Sequence, residues 1–165
     1  MNSTMLNEFR AEVAITKRIL ERVPEEKLTW KPHEKSMALG QLALHLATIP
    51  GGIASIAQQD SFDVLNASFV PQQPKSKQEI MSAYEQSVHG AEKFLSGLTD
   101  ERARASWRLM KGERELFQQP REALLRSIML NHWYHHRGQL SVYLRLLDVP
   151  VPVIYGRSAD ENPFA

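Results

Sequence analysis

His132 and His136 lie four residues apart in Asn131-His132-Trp133-Tyr134-His135-His136-Arg137-Gly138-Gln139, an apolar, helix-periodic stretch that holds three of the chain's six histidines. On a helix turning about 100° per residue, positions i and i+4 project from one face about one turn apart, so two imidazoles there can meet a single ion. The chemistry this spacing points to is ligation of a divalent metal. The alternative is that both rings hydrogen bond to buried polar groups, because a buried imidazole with no partner costs on the order of 1–3 kcal/mol. A third ligand has to come from elsewhere in the chain.

His45 is the candidate. It is the single polar residue in Leu42-Ala43-Leu44-His45-Leu46-Ala47 and shares an arc with Leu42, Ile49 and Ile56, so it points inward where another helix can meet it. Alone, a histidine on an apolar face is more often a satisfied core residue; beside the His132/His136 pair it becomes the natural third ligand. Three neutral imidazoles leave one coordination position open, as catalytic rather than closed structural zinc sites do. Water or a substrate would bind there.

The neighbouring residues read less sharply. His135 is adjacent to His136 and cannot easily reach the same ion from the same helix, so it reads as a supporting or packing group. His33, beside Pro32 in a loop, and His89, near Glu85 and Glu92, read as surface imidazoles. Gln139 returns to the face of the histidine pair, Arg137 points about 100° away, and Tyr143 lies one turn past Gln139 where it could line a cavity. Trp133 and Tyr134 diverge from the stripe and read as packing groups.

The elements that must carry these residues are helical. Leu6, Phe9, Val13, Ile15, Ile19 and Leu20 recur at helical spacing between Ser3 and Arg22, with Glu8, Arg10, Glu12, Lys17 and Arg18 between them. A second apolar stripe runs from Leu39 to Ile56, with Pro50-Gly51-Gly52 inside it predicting a kink or an early end. Residues 57 to 76 are rich in turn formers and read as an ordered surface connection. Ser76 and Glu79 form a capping-box pattern that opens a third helix running to Leu98. Between Asp100 and Gln119 the weak alternation of Ala105, Trp107 and Leu109, followed by Lys111-Gly112-Glu113, Leu116 and Phe117, allows a short hairpin, with helix as the alternative. The longest periodic segment, Pro120 to Leu147, is the fourth helix and carries the histidine pair; Pro150, Pro152 and Gly156 open an irregular tail. The expected architecture is a single domain over residues 1 to 165: an all-α four-helix bundle with two long connections and room for a short hairpin before the last helix.

Composition bounds the rest. At 165 residues and 42% hydrophobic the chain suits one core, and 20 basic against 19 acidic residues give no electrostatic case for a nucleic-acid or membrane partner. With no cysteine, disulfides, thiolate metal ligands and a cysteine nucleophile are excluded, so any metal must take nitrogen or oxygen ligands. Met1 to Glu8 lack a basic start followed by an apolar stretch and no run of 18 apolar residues occurs, so the expected location is the cytoplasm.

Taken together, Leu39-Gly40-Gln41-Leu42-Ala43-Leu44-His45-Leu46, His132-Trp133-Tyr134-His135-His136-Arg137-Gly138-Gln139-Leu140 with Tyr143-Leu144-Arg145, and Val149-Pro150-Val151-Pro152-Val153-Ile154-Tyr155-Gly156 resemble the DinB-like (damage-inducible) proteins over nearly the whole chain. That four-helix family includes the bacillithiol S-transferases and mycothiol-dependent maleylpyruvate isomerases and is unrelated to the error-prone polymerase sharing the name. The resemblance implies a homodimeric metalloprotein in which His45, His132 and His136 bind a divalent ion, nickel or zinc. It also implies, as one branch of activity, transfer of a low-molecular-weight thiol to an electrophilic small-molecule substrate. Such an ion could equally activate water, and a non-catalytic stress-response or small-molecule-binding protein is the rival from another class. Catalytic residues beyond the ligands are not readable from the sequence.

Overall fold

The computed structural model describes residues 2–68 and 70–164. Four long helices form the body: α1 (Asn2–Leu20), α2 (Leu39–Ala57), α3 (Lys77–Gly97) and, after two short helices α4 (Asp100–Arg104) and α5 (Arg121–Leu124), α6 (His132–Leu146). Both α1 and α2 pack against α3 and α6, which closes a four-helix bundle. Phe9, Ile19, Leu42, Leu46, Ile80 and Trp133 are among its fully buried side chains.

The all-α expectation is overturned. A three-stranded mixed sheet, ordered β1-β2-β3, joins the bundle: β1 (Ser61–Asp63) pairs in parallel with β2 (Ser106–Lys111), which pairs antiparallel with β3 (Arg114–Pro120). The hairpin allowed between Asp100 and Gln119 therefore forms, with Gly112 at φ 59° in its turn, a conformation glycine adopts without steric cost. The third strand escaped the sequence reading because it spans three residues, too few for alternation to register, inside the segment read as a surface connection. Asp63 fastens it to the hairpin tip, its Oδ1 accepting from the Gly112 N–H at 3.1 Å. Trp107 docks the hairpin on the bundle, buried and donating its indole N–H to the Ile56 carbonyl at 3.4 Å. The sheet thus caps the C-terminal end of α2, roughly 18 Å along the helix from His45.

Arg121 completes that junction. It is fully buried and donates to the carbonyls of Ala57 (2.7 Å), Gln59 (3.1 Å) and Arg102 (2.7 Å) and to Asp60 Oδ1 (2.7 Å). A guanidinium at the C-terminal end of α2 satisfies otherwise unpaired carbonyls and complements the helix dipole.

Two helices differ from their sequence reading. Of the kink or early end expected at Pro50, the early end does not occur: α2 continues as helix to Ala57, because neighbouring side chains take over the displaced backbone bonds. Leu46, whose carbonyl would have accepted from residue 50, accepts instead from the Trp133 indole N–H at 3.0 Å, and the Gly51 N–H donates to Ser87 Oγ at 2.8 Å. The chain leading into α6 is not uniform α-helix either: Leu125–Asn131 is a π-helical segment immediately before His132. Its wider turn shifts the phase of the stripe: Ile128 is 40% exposed while Met129 and Leu130 are buried.

α2 is also apolar and long enough, at 19 residues and mean hydropathy 1.3, to span a membrane by length alone, yet half of that stretch is buried inside the protein. Its hydrophobicity is that of a core helix.

Candidate metal centre

His45, near the middle of α2, and His132 and His136, on the first turns of α6, are brought together across the α2/α6 contact. Their candidate ligand atoms all lie within 4.8 Å of one another, the one cluster of this kind among the described residues. His132 Nε2 stands 2.7 Å from His136 Nε2 and 3.5 Å from His45 Nε2. The rings are close to edge-on, with centroids 4.5 to 5.2 Å apart, so their nitrogens converge on one point rather than stacking.

This donor set fits a divalent ion. At a metal–nitrogen bond of about 2.0–2.1 Å, tetrahedral ligand nitrogens stand about 3.3 Å apart, between the two distances seen here. Burial, first, holds all three imidazoles below their usual pKa, and His136 is pushed down to about 4; the mutual charge repulsion of the rings adds to this at His45 and His136. At His132 the Ile128 carbonyl one turn back partly opposes burial, although Nδ1 of His132 has no hydrogen-bond partner. Neutral rings at physiological pH keep a lone pair for a metal.

Gln139 orders one of the three. Its Oε1 lies 2.7 Å from His136 Nδ1, a carboxamide oxygen that can only accept, so Nδ1 carries the proton and Nε2 is left free to face the cluster. The placement of Gln139 on this face follows from its i+3 spacing to His136.

The remaining sequence candidates fall elsewhere. His135 is exposed, its ring centroid 4.9 Å from that of His136 but outside the cluster; His33 and His89 are exposed at the surface. Tyr143 does not face the ligands: it packs edge-on against Trp30 and donates its hydroxyl to the Met37 carbonyl at 3.2 Å, steadying the lead-in to α2. Trp133 is fully buried and stacks on Phe9 at 5.5 Å, as a packing group should.

Arg137 belongs to a second buried assembly that the sequence did not disclose. It is 1% exposed, pairs with Glu12 Oε2 at 2.6 Å, donates to Thr16 Oγ1 at 3.1 Å and bonds the Tyr155 hydroxyl, which in turn donates to Glu12 at 3.0 Å. Its guanidinium also lies 5.1 and 5.0 Å from the Tyr134 and Tyr155 ring centroids. Glu12, assigned to the polar face of α1 by its neighbours, is therefore buried. The tail from Pro150 onward lies along this side of α1 and α6, held by Arg18 to the Val153 carbonyl, Arg22 to Glu161 and Arg145 to Asp160. No local pattern signals the network, because its members lie far apart in the chain, Tyr155 standing 143 positions from Glu12 and 18 from Arg137.

A four-helix bundle with three imidazoles converging between two of its helices defines a class of small helical proteins with a candidate metal centre in the core. The sequence matches the DinB family over residues 1–162, and the chain belongs to that family. It is similar to the uncharacterized protein YrdA of Bacillus subtilis strain 168, at 27% identity over 159 residues, covering 94% of this chain and 89% of that one. The fold resembles the crystal structure of a DinB-like protein, YjoA, of Bacillus subtilis, with a TM-score of 0.72 and 19% identity over 94% of this chain and 99% of that one. A DinB-like protein of Bacillus cereus ATCC 10987 gives a TM-score of 0.70 at 23% identity, covering 92% and 95% of the two chains.

Proposed function

We propose that the protein is a divalent-metal-dependent enzyme whose ion, zinc or nickel, is held by His45, His132 and His136. The observation that carries this reading is the convergence of three neutral imidazole nitrogens from two helices with no carboxylate among them. An ion held by these three residues would supply Lewis-acid chemistry, able to lower the pKa of a thiol or a water. The chain's own contribution is positional: α2 and α6 present the three rings, and Gln139 holds His136 in the tautomer that ligates.

The preferred reaction is transfer of a low-molecular-weight thiol to an electrophilic small molecule, with water activation as the variant using the same site. Because the chain has no cysteine, the thiol enters as a cosubstrate. The reading further places a homodimer in the cytoplasm, without a nucleic-acid or membrane partner; light scattering on the purified protein tests the dimer.

The deciding experiment combines elemental analysis of the wild type, His45→Ala and His136→Ala with a conjugation assay between a thiol panel and an electrophile. One ion per chain, lost in both variants together with turnover, supports the enzyme. Metal without turnover across the panel replaces it with a non-catalytic metal-binding protein of the stress-response kind. Wild-type protein that takes up no ion removes the metal centre itself.

A further inference from the structure

The outward face of α6 and of the π-helical segment before it carries no charge. From Ser127 to Val142 the only aspartate, glutamate, lysine or arginine is Arg137, which is buried against Glu12 of α1. α2, which packs beside α6, continues the pattern: its 19 residues include none of these four types, and Thr48, Gly52 and Ser55 are exposed along it. In a chain that is 24% charged, an uncharged outer face on two adjoining helices is unlike a solvated surface and like the centre of a protein–protein interface, where charge is depleted. Apolar side chains stand on the same face. Ile128, Val142 and Leu146 are all exposed, the last two by more than half, and three along one helical stripe make a patch where a single one would be ordinary. Gly138 lies among them with open space where a Cβ would stand. Nothing within the chain requires glycine there, although in a helix it costs about 1 kcal/mol relative to alanine; a missing side chain does let a second helix approach.

The order of residues along the stripe selects the occupant. Ile128, Asn131, His135, Gln139 and Val142, all exposed, follow one another at spacings of three, four, four and three. The chemistry is the same read from either end: apolar, carboxamide, imidazole, carboxamide, apolar. A two-fold axis at His135 lays the helix antiparallel on its copy, with Ile128 against Val142 of the partner subunit and Gln139 against Asn131 of the partner subunit. Gln139 gives its Oε1 to His136 Nδ1 at 2.7 Å, so its Nε2 is the donor for the second of these pairings. Two adjoining helices 8–10 Å apart and about 20–28 Å long present a face of roughly 500 Å² in outline, the same order as the roughly 800 Å² of accessible surface that each partner buries in a standard interface.

We infer that the uncharged face of α6, flanked by α2, pairs with a second copy of this chain, the two helices running antiparallel about His135. This rests on the homodimer of the proposed function and adds which surface forms it and in which register. The pairing sets Asn131 of the partner subunit beside the carboxamide that orients His136, so each histidine cluster is steadied from across the axis.

The test places Ile128→Lys and Val142→Glu singly and together in the full chain and measures dimer dissociation constants by sedimentation equilibrium. Each single variant sets an unpaired charge against an apolar side chain and is expected to weaken the dimer by at least about tenfold. The double variant brings lysine against glutamate at both ends of the contact and is expected to recover most of that loss, a recovery that high salt removes. Within one chain the two positions stand about 21 Å apart along the helix, too far to pair, so recovery reports contact between copies. Both positions are exposed, so the variants keep their fold, as circular dichroism verifies; Gly138→Leu, which fills open space within one chain, is expected to block association as well. A dimer indifferent to all of these variants overturns the assigned face while leaving the homodimer. Weakening with no recovery in the double variant overturns the antiparallel register, and a monomeric wild type overturns both the face and the homodimer.

Discussion

Trp133 and Leu46 hold the two halves of the candidate metal centre in register: the indole N–H of one donates at 3.0 Å to the carbonyl of the other. Pro50, four residues on, has no N–H to offer that carbonyl, and the indole takes the place of the missing helical donor. Leu46 follows His45 and Trp133 follows His132, so one hydrogen bond fixes the separation of ligand-bearing backbone on α2 and α6.

Trp133→Phe is expected to keep most of the stacking on Phe9 but to leave the Leu46 carbonyl buried and unpaired, costing about 1–3 kcal/mol of stability. Metal affinity should fall with it, since the cost is borne where His45 meets His132. Urea denaturation and a metal titration measure the two effects; an unchanged midpoint would mean that water replaces the indole.

Gln139→Leu should weaken metal affinity by about 10- to 100-fold, as loss of an orienting partner typically does, with little effect on global stability because Gln139 is exposed. Gln139→Glu, which keeps an acceptor at the same place, should restore most of it. Competition with a chromophoric chelator gives both numbers, and equal affinities for all three proteins would remove this role.

The three depressed imidazole pKa values make the metal-free protein acid-sensitive in a defined window. A folded pKa below the unfolded value of about 6.5 means that the unfolded chain binds more protons, so this stability is complete above about pH 6.5 and is lost as pH falls toward 4. For His136, which is 8% exposed, the slope is about 1 kcal/mol per pH unit inside that window. The readout is the difference in urea midpoint between wild type and His136→Leu at pH 7.5, 6 and 5; a constant difference contradicts the prediction. Metal retention should correspondingly persist to lower pH than free imidazole would allow.

Arg137→Met leaves Glu12 buried without its cation and should cost about 3–5 kcal/mol, whereas adding Glu12→Leu should recover much of the loss. Tyr155 loses a partner in the single variant, so the tail after Pro150 should become more susceptible to limited proteolysis. Thermal denaturation and a protease time course check the two expectations separately.

At Gly51 a Cβ would stand 2.8 Å from the Ser87 Cα, a backbone atom that cannot swing aside. Gly51→Ala should therefore separate α2 from α3 and destabilise the fold by about 1–3 kcal/mol, measurable in urea.

By itself the sequence determined the long helices, the inward arc of His45 and the shared face of His132 and His136, because a 3.6-residue period converts spacing directly into direction. It also fixed that any metal must do without thiolate, since there is no cysteine. Only the tertiary structure decided the rest. Whether α2 survives Pro50 depends on Trp133 and Ser87, residues 87 and 36 positions away from the groups they satisfy and therefore invisible to any local pattern. Glu12 and Arg137 look like surface charges until α1 and α6 are packed together, and β1 becomes a strand only because β2 lies beside it. Even the distance between His45 and the histidine pair is a property of helix packing, set by a hydrogen bond that a proline left open.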